Sequence, residues 1–135
     1  MTTASAALGA VQTALYERLT GDADLMALLT GVFDDVPEGT PEPYLVVGES
    51  IETPDNRHGN FGRQTVTTLH VWSRQRGFAE ASAIADSVVR VLDHQPLSIS
   101  GRRHIVTRFE FSQALRDPDP GLRHVPLRFR VVTEQ

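Results

Sequence analysis

Five histidines, His58, His70, His94, His104 and His124, are the residues of this 135-residue chain that first invite a chemical reading. Imidazoles ligate metals and carry protons near neutral pH, and a helical i, i+4 pair or an HExxH run would mark a metal site. Neither spacing occurs. His70 and His104 fall in two strand-like runs. If those strands are neighbours, the two imidazoles and Glu110 make a two-histidine, one-carboxylate set of the kind that holds a divalent ion. Histidines on an ordinary sheet surface explain the same residues with fewer demands, and that reading is preferred. Asp34 and Asp35 could serve as paired carboxylates in acid/base work, but they follow a strand-like run, where a solvated turn is expected. Gly59, Asn60, Phe61 and Gly62 spell GxxG, the loop by which KH domains clamp a nucleic-acid backbone. That loop belongs between two helices. Here it lies between strand signals, with Arg57 and Arg63 as its charges. GxSxG, P-loop and dinucleotide motifs are missing. The expectation is a protein that is not an enzyme and needs no metal or cofactor. A structural or binding role follows by elimination. Its competitor is a small-ligand module or metal-dependent enzyme using His70, His104 and Glu110.

The elements that must position these residues are organised around Thr65 to His94. From Thr65 to Trp72, Thr67, Leu69 and Val71 share one face, and Val66, Thr68, His70 and Trp72 share the other, the period of a strand. Gly77 breaks the run. Ala81, Ile84, Ala85, Val88, Val91 and Leu92 then recur at helical spacing, with Glu80, Asp86 and Arg90 opposite and Pro96 as the stop. Upstream, Thr2 or Thr3 can cap a helix with Leu8, Val11, Leu15 and Leu19 on its stripe, ended by Gly21. Asp22 or Asp24 can cap a shorter helix carrying Leu25, Leu28 and Leu29, closed by Gly31. Val32 to Val36 reads as a short strand, Pro37 to Pro43 as an extended connector, and Tyr44 to Val47 as a strand.

Glu52 to Gln64 is polar, with Gly and Asn and one large apolar residue, Phe61. It reads as a long loop ordered by a partner, since long loops in compact domains are commonly functional. Leu97 to Ser100 and Arg103 to Phe111 are strand candidates joined at Gly101. Ile105, Thr107, Phe109 and Phe111 share one face; Arg108 and Glu110 share the other. DPDPG, Asp117 to Gly121, is a turn. Val125 to Thr133 alternates Val125, Leu127, Phe129 and Val131 inward with Arg128 and Arg130 outward, and Pro126 points to an edge or strand-end position. Strands joined by hairpin-like turns, with helices apolar on one stripe, predict an α+β fold: a mostly antiparallel β-sheet with amphipathic helices packed on one face, a two-layer sandwich. Trp72 with His70 on the second face marks a candidate contact surface, with packing under a loop or the N-terminal helix as the equal alternative.

Length predicts one domain spanning 1–135, burying roughly two-thirds of its unfolded surface. There is no cysteine, which excludes disulfides and thiolate chemistry, and all 13 basic residues are arginine against 17 acidic ones, a net charge of −4. That balance argues against a free-standing nucleic-acid binder. The N-terminus lacks the pattern of a secretory peptide, and no apolar run suits a membrane span, so a soluble, intracellular protein is expected.

Taken together, VFDDVP at Val32–Pro37, PYLVVGE at Pro43–Glu49, LHVWSR at Leu69–Arg74 and RDPD at Arg116–Asp119 resemble the tail-completion, or tail-terminator, family of long-tailed bacteriophages, prophages and gene transfer agents. The resemblance runs from about Ala14 to Glu134. It implies a structural virion protein that forms a homo-oligomeric ring, typically hexameric, at the head-proximal end of the tail tube, assembled in the bacterial cytoplasm. Its implied partners are the tail tube protein and a head-tail connector or stopper protein, and DNA passes through its lumen without specific binding. A neighbouring connector or stopper ring is the alternative within the same particle. The resemblance carries no catalytic positions; Asp35, Pro37, Tyr44, Trp72, Arg74, Asp117 and Pro118 match the family pattern. The candidate contact residues are Arg57, His58, Phe61 and Arg63 of the polar loop, Trp72 and Arg74, and Asp117 and Asp119 of the turn.

Overall fold

A computed structural model describes residues 3–135. In chain order the elements are helices α1 (Leu8–Thr20) and α2 (Ala23–Met26), strands β1 (Val32–Phe33), β2 (Tyr44–Pro54) and β3 (Gly62–Ser73), helix α3 (Ala79–Leu92), and strands β4 (Arg103–Ser112), β5 (Leu115–Arg116) and β6 (Arg123–Glu134). The described residues form one sheet in the order β1-β2-β3-β6-β4, with β5 pairing antiparallel to β6 beyond the end of β4. Only β1 with β2 is parallel; the other pairs are antiparallel. The fold is α+β, and no helix among the described residues is long and apolar enough to cross a membrane.

The core lies between the sheet and the helices. Leu69 and Val71 of β3 and Leu127, Phe129 and Val131 of β6 meet Val11, Leu15 and Leu19 of α1 and the α3 stripe. Six α3 side chains are buried, Ala81, Ile84, Ala85, Val88, Val91 and Leu92, the set its spacing predicts. Two are alanines, which shorten the helix-to-sheet distance. The core face also holds Thr65, Thr67, Ser73, Thr107 and Thr133. Most of their hydroxyls are bonded, Thr67 to Ser50 and Ser73 to Glu80 for example, which removes most of the cost of burying them.

Several boundaries differ from expectation for local reasons. The first helix begins at Leu8 behind Ala7, beyond the reach of Thr3, and Thr2 lies outside the described residues. The Ala7 amide instead donates to the Glu52 carboxylate at 2.5 Å, so a strand residue supplies the negative charge that a helix N-terminus favours. Asp22 does cap α2, accepting from the Leu25 amide at 2.9 Å, but that helix ends at Met26 rather than Gly31. Leu97 to Ser100 is irregular, not a strand, and packs through Leu97 and Ile99. The α3 helix stops before Pro96 is reached: Asp93 leaves the helical region and His94 turns the chain at φ 55°.

Pro126 is the fourth residue of an inner strand, so of the edge and strand-end positions it suggested the edge is excluded. Its carbonyl accepts from the Gln113 amide, and within a strand N–H and C=O of one residue point the same way. The missing N–H therefore faces the break between β4 and β5, where no ladder bond is lost. In β4, register shifts between His104 and Val106 and between Phe109 and Phe111 place bulges at Ile105 and Glu110. Each bulge resets the alternation. Thr107 remains in the core, whereas Ile105 is 44% exposed and Phe111, expected inward, is 37% exposed and lies under the Arg128 guanidinium.

Candidate assembly surface

The sheet face opposite the helices is open among the described residues, and its most organised feature comes from pairing β3 with β6. That register sets Trp72 opposite His124 and His70 opposite Pro126. The Trp72 and His124 rings stack at 3.9 Å with 5° between planes, and His70 continues the stack at 4.9 Å. His70 Nδ1 lies 2.7 Å from His124 Nε2, and His70 Nε2 lies 2.6 Å from Glu49 Oε1. The chain is satisfied when both imidazoles are neutral, His124 donating to His70 and His70 donating to Glu49. Burial, and then the neighbouring His70, holds the His124 pKa below the ordinary imidazole value. The hydrogen bond from His70 holds Glu49 below the usual carboxylate range. Gly48 makes room: a Cβ there would stand 2.6 Å from the His70 ring and 2.7 Å from the Thr68 carbonyl. The stack presents a flat aromatic and imidazole surface suited to contact.

The eight predicted contact residues form two groups at opposite ends of β3. Arg63 and Trp72, their members within β3, are nine residues apart, about 30 Å along the strand. At one end are Arg57, His58, Phe61 and Arg63. The long loop expected from Glu52 to Gln64 is replaced by a β2–β3 hairpin, because β2 runs to Pro54 and β3 starts at Gly62. Arg57 and Asn60 exchange two backbone hydrogen bonds across its tip, and the Asp55 amide donates to the Gly62 carbonyl. Phe61 is half-buried, and its carbonyl accepts from Arg102 Nη2 at 3.1 Å and from the Gln135 amide at 3.0 Å. Arg63 bonds Asn56, Arg57 pairs with Asp55, and His58 is exposed. At the other end, Trp72 stacks on His124, while Arg74 bridges Glu42 at 3.0 Å and Asp119 at 3.1 Å. Asp117 accepts from the Asp119 amide and Asp119 from the Gly121 amide, which closes the turn.

The His70, His104 and Glu110 set is not assembled, because β6 lies between β3 and β4. His104 instead bonds the Thr107 hydroxyl at 2.7 Å, its pKa lowered by burial, and Glu110 pairs with Arg130. Asp34 and Asp35 are exposed in the turn after β1, and the GxxG run occupies the hairpin. Residue-by-residue reading missed Glu49, which ends the imidazole chain, Glu42, which holds Arg74, and Arg102, which ties the hairpin base to Thr133. Their roles come from partners distant in sequence. A carboxylate following the PYLVVG strand was the one local signal for Glu49.

Residues 13–134 match the family described as tail completion protein gp17. The chain belongs to that family. The tail completion protein gp17 of Bacillus phage SPP1 is 28% identical over 124 residues, 90% of this chain and 92% of that protein. A chain in the virion of a native gene transfer agent particle superposes with a TM-score of 0.90 at 30% identity, covering 98% of this chain and all of that one. The solved structure of bacteriophage SPP1 gp17 superposes at 0.65 with 28% identity, over 91% of this chain and 88% of its own. The protein is thus a structural tail terminator and a component of a phage-type virion.

Proposed function

We propose that this chain forms a ring, hexameric in the simplest arrangement, that caps the head-proximal end of the tail tube and joins it to the head-tail connector. The observation that carries this reading is the separation of the two contact groups. The hairpin of Arg57, His58, Phe61 and Arg63 and the cluster of Trp72, Arg74, Asp117 and Asp119 lie at opposite ends of one long strand. A subunit whose strands run along the particle axis offers one group to the tube and the other to the connector. The role is one of contact and not catalysis. A net charge of −4 with most arginines already bonded within the chain suits a lumen through which DNA slides, since free cations would bind phosphate and release counterions.

Deletion of the gene tests the assignment. The expected result is filled heads and separate tails, with joining restored by the gene in trans. Normally joined particles from the deletion strain would overturn it. Labelled protein found on isolated heads and missing from isolated tails would instead make it a connector ring.

A further inference from the structure

Resting on the ring reading, the structure supports a specific lateral contact: we propose that the groove between α1 and β1 receives the β4 edge of the next copy. The groove has a volume of about 470 Å³ and is lined by Gly9, Tyr16, Phe33 and Asp34 among others. Its apolar wall is open, with Tyr16 44% exposed. Asp34 lines it, and Asp35 and Glu38 follow in the same turn; all three are exposed and without a hydrogen-bonding or ionic partner among the described residues. The opposite edge carries the complement. Ile105 stands out of β4 on its bulge, and Arg108 is exposed with no acceptor or carboxylate partner among the described residues. Arg128, on β6 next to this edge strand, is held over Phe111 of β4, its guanidinium carbon 5.0 Å from the ring centroid, and likewise makes no salt bridge among the described residues.

Because β1 and β4 are the two terminal strands of the sheet, these surfaces cannot meet within one chain. Unlike surfaces on opposite flanks produce a heterologous contact, which closes into a ring when the rotation between copies allows it. Opposite charges would steer the encounter and set its register, and the apolar knob and groove would supply burial. The two β4 bulges interrupt the free ladder, so the contact uses side chains and not strand addition. The chain itself carries both halves of the match, which favours a second copy over a different partner.

Charge reversal tests this with full-length protein, weighed by mass photometry alone and after incubation with isolated tail tubes. Arg108→Glu with Arg128→Glu, and separately Asp34→Arg with Asp35→Arg, should each weaken ring formation at least about tenfold. Mixing the two variants should restore rings, because alternating copies regain attraction at both edges of an even-numbered ring. All four changes in one chain should restore them as well. Unchanged melting temperatures confirm folding, and rescue by the combined chain cannot come from a misfolded one. If wild-type rings form and neither reversal weakens them, the edge contact is wrong and the ring reading stands. Reversed variants that form rings but no longer bind tubes would assign the groove to the tube protein and overturn the inference. Wild-type protein that stays monomeric both alone and on tubes would overturn the ring reading with it.

Discussion

Replacing Phe129 by alanine should strip the sheet of its central contact. Phe129 is 0% exposed and heads the fully buried side chains by volume. It sits on β6 between Thr67 of β3 and Phe109 of β4, with the Phe109 ring centroid 5.6 Å away. Removing the ring empties about 100 Å³, which at about 24 cal/mol per Å³ costs about 2.4 kcal/mol if the site does not collapse. Lost transfer energy adds about 2 kcal/mol, so a total of about 3 to 5 kcal/mol is expected, a large part of the 5 to 15 kcal/mol that typically holds a domain together. A chain of this length unfolds with an entropy of about 0.3 kcal/mol per kelvin, so the melting temperature should fall by about 10 to 18 °C. Thermal melts followed by circular dichroism, with urea titrations to check that the m-value is preserved, provide the measurement. A fall of less than about 4 °C would refute the assignment of Phe129 to the centre of the core.

Phe61→Ala should cost only about 1 kcal/mol in the free subunit, because its ring is half-buried and its bonded group is the backbone carbonyl; a loss as large as that of Phe129→Ala would place the ring in the core. Gly62→Ala should open the hairpin, since a Cβ there would stand 2.1 Å from the Asp55 carbonyl oxygen; an unchanged melt and unchanged exchange at Asp55 would contradict that backbone approach. In native protein, amide exchange should be slower at Asp55, Arg57 and Asn60, whose N–H groups are bonded, than at His58 and Gly59. Uniformly fast exchange would return the segment to a loop. Acidification should also destabilise the fold. His124 has a depressed pKa in the native state, so its contribution is complete above the ordinary imidazole value and declines as pH falls through and below that value. Half-buried His104 acts in the same direction, so His124→Gln should flatten part of that slope; an identical slope in the variant would remove His124 as a cause.

The sequence by itself determined the elements whose pattern is local. Six buried α3 residues, the inward Leu69 and Val71, and the alternation of Leu127, Phe129 and Val131 against Arg128 and Arg130 are all legible, because one helical face or strand face is encoded by neighbours a few residues apart. The order of PYLVVGE, LHVWSR and RDPD carried the family. Tertiary structure alone decided which strands meet. Inserting β6 between β3 and β4 separated His70 from His104 and joined it to His124, 54 residues away. Bulges at Ile105 and Glu110 turned Phe111 out of the core, although its spacing from Thr107 and Phe109 puts it on their face. Pairing of β2 with β3 likewise extended both strands into a segment whose composition reads as loop. Register and strand order depend on contacts between residues far apart in the chain, where the favourable energy comes from the partner and not from the segment itself.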